Sequence, residues 1–153
     1  EVQVQVVELS GRMIALARAR LPAGAEARVR FRQEDIRDMD WRRESLDLVV
    51  THFFLDCLTA SEAAALIARL SGALETGGLW VVSEFQLPAG GRLRRIYAAA
   101  WLSTLYGFFG VTTGLRVARL PDYGGLLRGA GLALVEEQEA HFGLLVSQLW
   151  KKV

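Results

Sequence analysis

Cysteine is nearly missing from this chain. Cys57 is the single one among 153 residues, which excludes an internal disulfide and fits a reducing, cytoplasmic setting. Histidine is almost as scarce: His52 and His141 are the only two, and with that one thiol they make no zinc-type ligand set, so no metal is expected. An excess of either charge is missing too. Eighteen basic side chains stand against seventeen acidic ones, and so small a net charge gives no general electrostatic case for a nucleic-acid partner. Internal repeats, low-complexity linkers and a secretory leader of basic start, apolar stretch and small-residue cleavage site are also absent. The chain opens on Glu1 rather than Met, so an upstream start is expected. Its length suits one domain, residues 1–153, with enough chain to bury a core.

What is present includes one long uncharged run. Ile96 to Leu115, "IYAAAWLSTLYGFFGVTTGL", holds twenty residues without a charge between Arg92, Arg94 and Arg95 on one side and Arg116 and Arg119 on the other. Length alone would nominate a transmembrane helix. Gly107, Gly110, Thr112, Thr113 and Gly114 in its second half, and strand-like segments on both sides, favour a buried helix or a cap over an apolar pocket. No membrane span is expected.

Read by period, the chain alternates between strand and helix. Val2 to Val7 reads as a strand; Ser10 then takes an N-cap position before Met13, Ile14, Leu16, Ala17 and Leu21 at helical spacing, with Pro22 and Gly24 as the stop. Arg28 to Gln33 alternates as a strand, followed by the acidic loop "EDIRDMDW". Leu46 to Thr51 is a short apolar run of the kind buried in a parallel sheet. Ser61 to Leu74 reads as a helix capped by Ser61, with Ala64, Ala65, Ile67, Ala68 and Leu70 on one face. Thr76-Gly77-Gly78 is read as its stop and Leu79 to Phe85 as the next strand. Pro121-Asp122 opens a short helix, and Ala133 to Glu139 with Leu144 to Trp150 form an antiparallel hairpin around "AHFG". The order predicts an open, mostly parallel α/β sheet with one antiparallel edge.

In this order and spacing, four stretches and the tail resemble one family. "VVELSGRMIALAR" is similar to the second strand, acidic end and following helix of the Rossmann-like (class I) S-adenosylmethionine-dependent methyltransferases, and "RFRQEDIRDM" to their third strand and acidic loop. "LDLVVTHFFLDCL" resembles the fourth strand, "LETGGLWVVSEF" the fifth, and "LLRGAGLALVEEQEAHFGLLVSQLWKK" the last helix and closing hairpin. The resemblance covers essentially the whole chain and implies S-adenosylmethionine as cofactor. It implies that Glu8, with Leu9 beside it, takes the two ribose hydroxyls, since a carboxylate pairs a vicinal diol through two oxygens. The alternative for Glu8 is an acid favoured by a helix start. Asp35 would receive the adenine amine and the Ile36 N–H would meet the ring, with Glu34 the neighbour one register away. The alternative is a solvated acidic loop, and Arg37, Asp38 and Asp40 read as surface charge alone. Thr51 and His52 end the fourth strand, where contact with the cofactor is implied.

The family's glycine-rich loop precedes the ribose acid by about 20 residues, an interval that runs off the front of this chain. Gly77-Gly78, Gly90-Gly91 and Gly124-Gly125 read as turns. The first strand, its loop and first helix are therefore expected upstream, in roughly 40–60 further residues. Without that strand the sheet would be split and two edges bared.

Methyl transfer is an in-line displacement governed mainly by positioning in a dry site. His52 is the base candidate where an acceptor must lose a proton, the alternative being a histidine that bonds local backbone; His141 is weaker. Asp56 is read as a cap of the next helix rather than a substrate-orienting group. Residues 88–120 read as an insertion or cap, and Tyr97 and Trp101, with Phe53 and Phe54 across the cleft, suit a small apolar acceptor. The alternative is ordinary core or a homodimer surface. Arg92, Arg94 and Arg95 read as a solvated helix start, the alternative being contact with a membrane surface or an acidic substrate. Two rivals remain open: a nicotinamide-dependent oxidoreductase, which accounts for Glu8 but not for Asp35 or the hairpin, and an inactive methyltransferase-like interaction module.

Overall fold

Four residues, Val4–Val7, form strand β1, rich in β-branched side chains that favour a pleated surface. The ladder begins two residues later than the sequence predicts. β1 pairs in parallel with β2 (Val29–Arg32), from Val4 opposite Val29 to Val7 opposite Arg32. Helix α1 (Gly11–Ala19) connects them, and the Ser10 hydroxyl accepts the Met13 N–H at 3.3 Å, as an N-cap should. The helix stops at Ala19, before Pro22, and the Arg20 N–H closes back on the Ala17 carbonyl at 3.1 Å. Of its apolar residues only Ile14 is buried; Met13 and Leu16 are 54% and 42% exposed. The computed structural model describes residues 2–86, 91 and 122–153, in two units, residues 1–40 and 41–153.

The second unit holds a four-stranded sheet made of β3 (Leu46–His52), β4 (Leu74–Phe85), β5 (Leu132–Ala140) and β6 (Leu145–Lys152), in the order β3-β4-β6-β5. β3 and β4 run parallel, and β6 is antiparallel to both β4 and β5. Among the described strands β1 pairs only with β2 and β3 only with β4, so the strands stand as two sheets. The architecture is the mixed, methyltransferase-type α/β arrangement that the sequence predicts.

Helix α2 (Ala60–Ala73) starts one residue before the expected Ser61, because Thr59 caps it. The Thr59 hydroxyl accepts from the Glu62 N–H at 3.3 Å and the Glu62 carboxylate accepts from the Thr59 N–H at 2.9 Å, a reciprocal box that satisfies two donors. Its buried stripe is Ala63, Leu66, Ile67, Leu70 and Ser71, at steps of three and four; Ala65 and Ala68 face outward, which corrects the expected face. Thr76-Gly77-Gly78 does not stop a helix but lies inside β4, where the register jumps between Leu46 opposite Leu74 and Leu48 opposite Leu79. Glycine is needed there: Gly77 has φ of +83°, and a Cβ on Gly78 would come within 2.8 Å of the Glu75 carbonyl.

Helix α3 (Tyr123–Gly129) is capped by the Asp122 carboxylate, which accepts the Gly125 N–H at 2.9 Å. The core of this unit lies on one sheet face, where Trp80, Val82 and Glu84 of β4 alternate inward beside Trp150 and Val146 of β6, with Leu66, Ile67 and Leu70 of α2 and Leu127 of α3 also buried. On the other face Leu48 and Val50 remain 52% and 49% exposed. Apart from Gly91, residues 88–120, expected as an insertion or cap, lie outside the described residues, and Tyr97 and Trp101 with them.

Candidate functional site

In the first unit the carboxyl ends of β1 and β2 lie side by side. Val7 pairs with Arg32, and the Glu8 N–H extends the ladder by donating to the Arg32 carbonyl at 3.1 Å. Glu8 is therefore one residue past the last pair and Asp35 three past it, at the same end of the same two strands. One oxygen of the half-buried Glu8 carboxylate accepts the Ser10 N–H at 2.8 Å. That bond orients the carboxylate and leaves its second oxygen, with the remaining lone pairs of the first, for a ligand. The Gln33 amide bridges the two loops by donating to the Leu9 carbonyl at 3.2 Å.

Asp35 is more occupied. Its carboxylate accepts the Arg37 backbone N–H at 2.9 Å and the Arg37 guanidinium at 2.7–3.1 Å. These hydrogen bonds, more than the guanidinium charge itself, hold the carboxyl below its ordinary pKa, so Asp35 is an acceptor only. Arg37, read in the sequence as surface charge alone, is thus the partner of Asp35. The neighbour Glu34 is gripped in the same way by Arg32, at 2.7 and 2.9 Å, but it is the more open of the two, 46% exposed against 20% at the side chain. Asp35, tied also to the backbone, is the better fixed acceptor. Ile36 is half-buried and Leu9 is 59% exposed.

In the second unit, alternation along β3 sends Thr51 to the buried face and His52 to the open one. The Thr51 hydroxyl accepts the Trp80 indole N–H at 3.1 Å, so its side chain is committed to the core and only its backbone remains for a ligand. His52 ends the strand, exposed, opposite Ser83. Phe53 follows with φ of +50°, a conformation that costs a non-glycine residue about 1–3 kcal/mol. Its N–H donates to the Ser83 carbonyl at 2.7 Å, and its 45% exposed ring lies 4.9 Å from that of Phe85, tilted by 40°.

Asp56 does not cap the next helix, since Thr59 does; it lies 2% exposed in a turn of 3-10 helix, Leu55–Cys57. Beside it is a residue that the sequence reading passed over. Glu84 is fully buried, and one of its oxygens accepts the N–H groups of Phe54 at 3.1 Å and Leu55 at 2.8 Å. Burial and then the Asp56 charge raise its pKa to about 8. The sequence carried the signal: in "LWVVSEF" the alternation that buries Trp80 and Val82 puts an acid on the same face. Among the described residues no group of three His, Cys, Asp or Glu could hold a metal ion, and no helix is long and apolar enough to cross a membrane.

Parallel strands followed by fixed carboxylates in one unit, and a sheet closed by an antiparallel hairpin in the other, are each features of the Rossmann-like methyltransferase class. The family described as "Methyltransferase domain" matches residues 1–78. The chain belongs to this family, of the class I S-adenosylmethionine-dependent type. None of the curated proteins matches it. Among solved structures, an S-adenosylmethionine-dependent methyltransferase from Mesorhizobium loti is similar at 19% identity and TM-score 0.67, over 98% of this chain and 80% of that one. The N-methyltransferase NodS from Bradyrhizobium japonicum, in complex with S-adenosylhomocysteine, is similar at 16% identity and TM-score 0.69, over 98% of this chain and 66% of that one. A possible exported protein from Bordetella parapertussis is similar at 17% identity and TM-score 0.67; this chain, covered to 99%, spans 53% of its length. At these identities the likeness is one of fold.

Proposed function

We propose that this chain carries the nucleoside-binding and acceptor-side residues of an S-adenosylmethionine-dependent methyltransferase whose acceptor is small and apolar. The observation that carries the reading is the Glu8 carboxylate, fixed at the end of β1 by the Ser10 N–H with an oxygen left over. Two acceptor oxygens suit two vicinal hydroxyls, so Glu8 would hold the ribose, with Leu9 alongside. Asp35, kept ionised, would accept from the adenine amine while the Ile36 N–H meets the ring; Arg37 orients Asp35 and competes for its lone pairs. The bound cofactor would supply a methyl group activated on a sulfonium.

On the acceptor side the exposed ring of Phe53, stacked near Phe85, and the half-buried Phe54 offer an apolar wall. Tyr97 and Trp101 are proposed to extend it on sequence grounds alone. His52, at the exposed end of β3, would take a proton where the acceptor has one to lose. The lone cysteine supports a cytoplasmic setting.

Calorimetric titration with S-adenosylhomocysteine, with NAD as control, tests the reading. Binding is expected for the homocysteine derivative only, and Glu8→Ala should weaken it about 10- to 100-fold, the equivalent of losing roughly 1.5–3 kcal/mol of charge-assisted hydrogen bonding. Equal binding by wild type and variant would remove Glu8 from the site, and preference for NAD would overturn the assignment.

A further inference from the structure

We infer that Glu84 and Asp56 share one proton, and that this buried carboxyl pair is the positioning device that sets the loop after β3 and, through it, the Phe53 ring. The inference rests on the reading of Phe53 as an acceptor-side residue, but the carboxyl pair can be tested without it.

The loop needs a partner of this kind. β3 ends at His52, and the next N–H, from Phe53, is the last that the backbone of β4 receives, at the Ser83 carbonyl. The two N–H groups that follow, from Phe54 and Leu55, turn inward where no strand carbonyl meets them. Both converge on one oxygen of Glu84, which is fully buried. A single acceptor thereby fixes two successive peptides directly after Phe53, whose φ of +50° is not a conformation that an aromatic residue holds by itself. The Cys57 N–H closing on the Phe54 carbonyl at 3.1 Å and the Leu58 N–H on that of Leu55 at 3.3 Å complete the turn.

The second Glu84 oxygen shows why a proton is shared. With both carboxyls ionised it is a buried acceptor that meets no donor among the described residues. Asp56, itself 2% exposed, interacts with the Glu84 carboxyl by charge and by side-chain hydrogen bonding. Two carboxylates so placed repel, whereas one proton between them supplies the missing donor and removes a charge. Two other ionisable groups among the described residues, Cys57 and Tyr123, interact with the pair and stay uncharged at neutral pH. Cys57, in the same turn, is pushed up to about 12 by burial and by Asp56; Tyr123 of α3 is raised further by burial and by Glu84, with Glu137 and Asp122 adding negative charge. The neutral Cys57 thiol donates to Asp56 Oδ1 at 3.4 Å.

Carbon-13 NMR of the side-chain carboxyls and nitrogen-15 NMR of the Phe53, Phe54 and Leu55 amides, followed from pH 5 to pH 10 in the protein that contains this chain, tests the proposal. One carboxyl of the pair should keep its proton to near neutral pH or above, and the three amides should shift with that same midpoint. Glu84→Gln, whose amide keeps an acceptor for the loop and gives a donor to Asp56, should abolish the titration and hold the amides at their low-pH positions. Glu84→Ala should speed hydrogen exchange at Phe54 and Leu55 at least tenfold. Carboxyls that both titrate in the ordinary acid range, or amides that ignore the pair, would overturn the proposal. S-adenosylhomocysteine binding, measured on the same samples, reports separately on the methyltransferase reading: its absence would defeat that reading while the NMR still decides the pair.

Discussion

Raising the pH from 5.5 to 7.5 should destabilise the second unit, through the pair Glu84 and Asp56. The ordinary pKa of a glutamate is about 4.5, and the folded protein raises that of Glu84 to about 8, by burial first and by the Asp56 charge second. A raised carboxyl pKa stabilises the fold fully below the ordinary value. That contribution is lost progressively as pH climbs toward and through the folded value, because the unfolded chain releases a proton that the folded one retains. One retained proton gives a slope of about 1.4 kcal/mol per pH unit. Two units of pH would then remove up to roughly 3 kcal/mol, a large share of the 5–15 kcal/mol typical of a whole domain.

The assay is urea unfolding followed by tryptophan fluorescence. Every tryptophan of the chain, Trp41, Trp80, Trp101 and Trp150, belongs to residues 41–153, and Trp80 and Trp150 are fully buried. The comparison to make is between wild type and Glu84→Gln, which keeps every other ionisable group, so the difference in slope belongs to the pair. Wild-type stability should fall across this window and that of the variant should stay nearly level. Equal slopes, or a wild type that gains stability with pH, would refute the proton-sharing account.

Three further outcomes follow from the contacts. Thr59→Ala removes the hydroxyl of the capping box and should cost about 0.5–2 kcal/mol in the same urea assay, whereas Ser61→Ala should cost little. Leu127→Ala empties a fully buried position of α3 and should cost about 2–5 kcal/mol, with no change in the pH slope. Arg37→Ala should return the Asp35 carboxyl toward its ordinary pKa in an NMR titration; with the arginine present, Asp35 stays ionised further into acid, so its contribution is present above the ordinary value and lost as pH falls below it.

Much of the fold was legible because local chemistry and global placement agreed. Ser10 caps α1 as its position before a periodic apolar stretch demands, and "LWVVSEF" forms a strand as expected, as the second part of β4. Misreadings arose where two local devices compete in one stretch. Ser61 and Thr59 are both capping residues, and Glu62, three residues after Thr59, decides between them by closing the box. Gly77-Gly78 stops helices in most settings, but here α2 passes directly into β4 and the glycines absorb a register shift against β3. Spacing alone also did not show that Arg37 turns back on Asp35, since a residue two places away can as easily face solvent.

The acids of the candidate site divide by what holds them. Glu8, Glu34 and Asp35 follow strand ends, where a carboxylate keeps some access to water and an arginine or a turn N–H fixes it at small cost. Glu84 lies within a strand, under helices, where an unpaired charge is expensive enough that the group stays protonated or shares a proton instead. An acid in a buried strand position therefore needs a local reason, and here two peptide N–H groups of the loop after β3 provide it. Replacing Glu84 by a close-packed leucine would remove the charge problem and still leave those two N–H groups without an acceptor. The loop should then loosen even where the fold gains stability, a separation that marks Glu84 as a residue kept for the geometry of the loop rather than for the strength of the core.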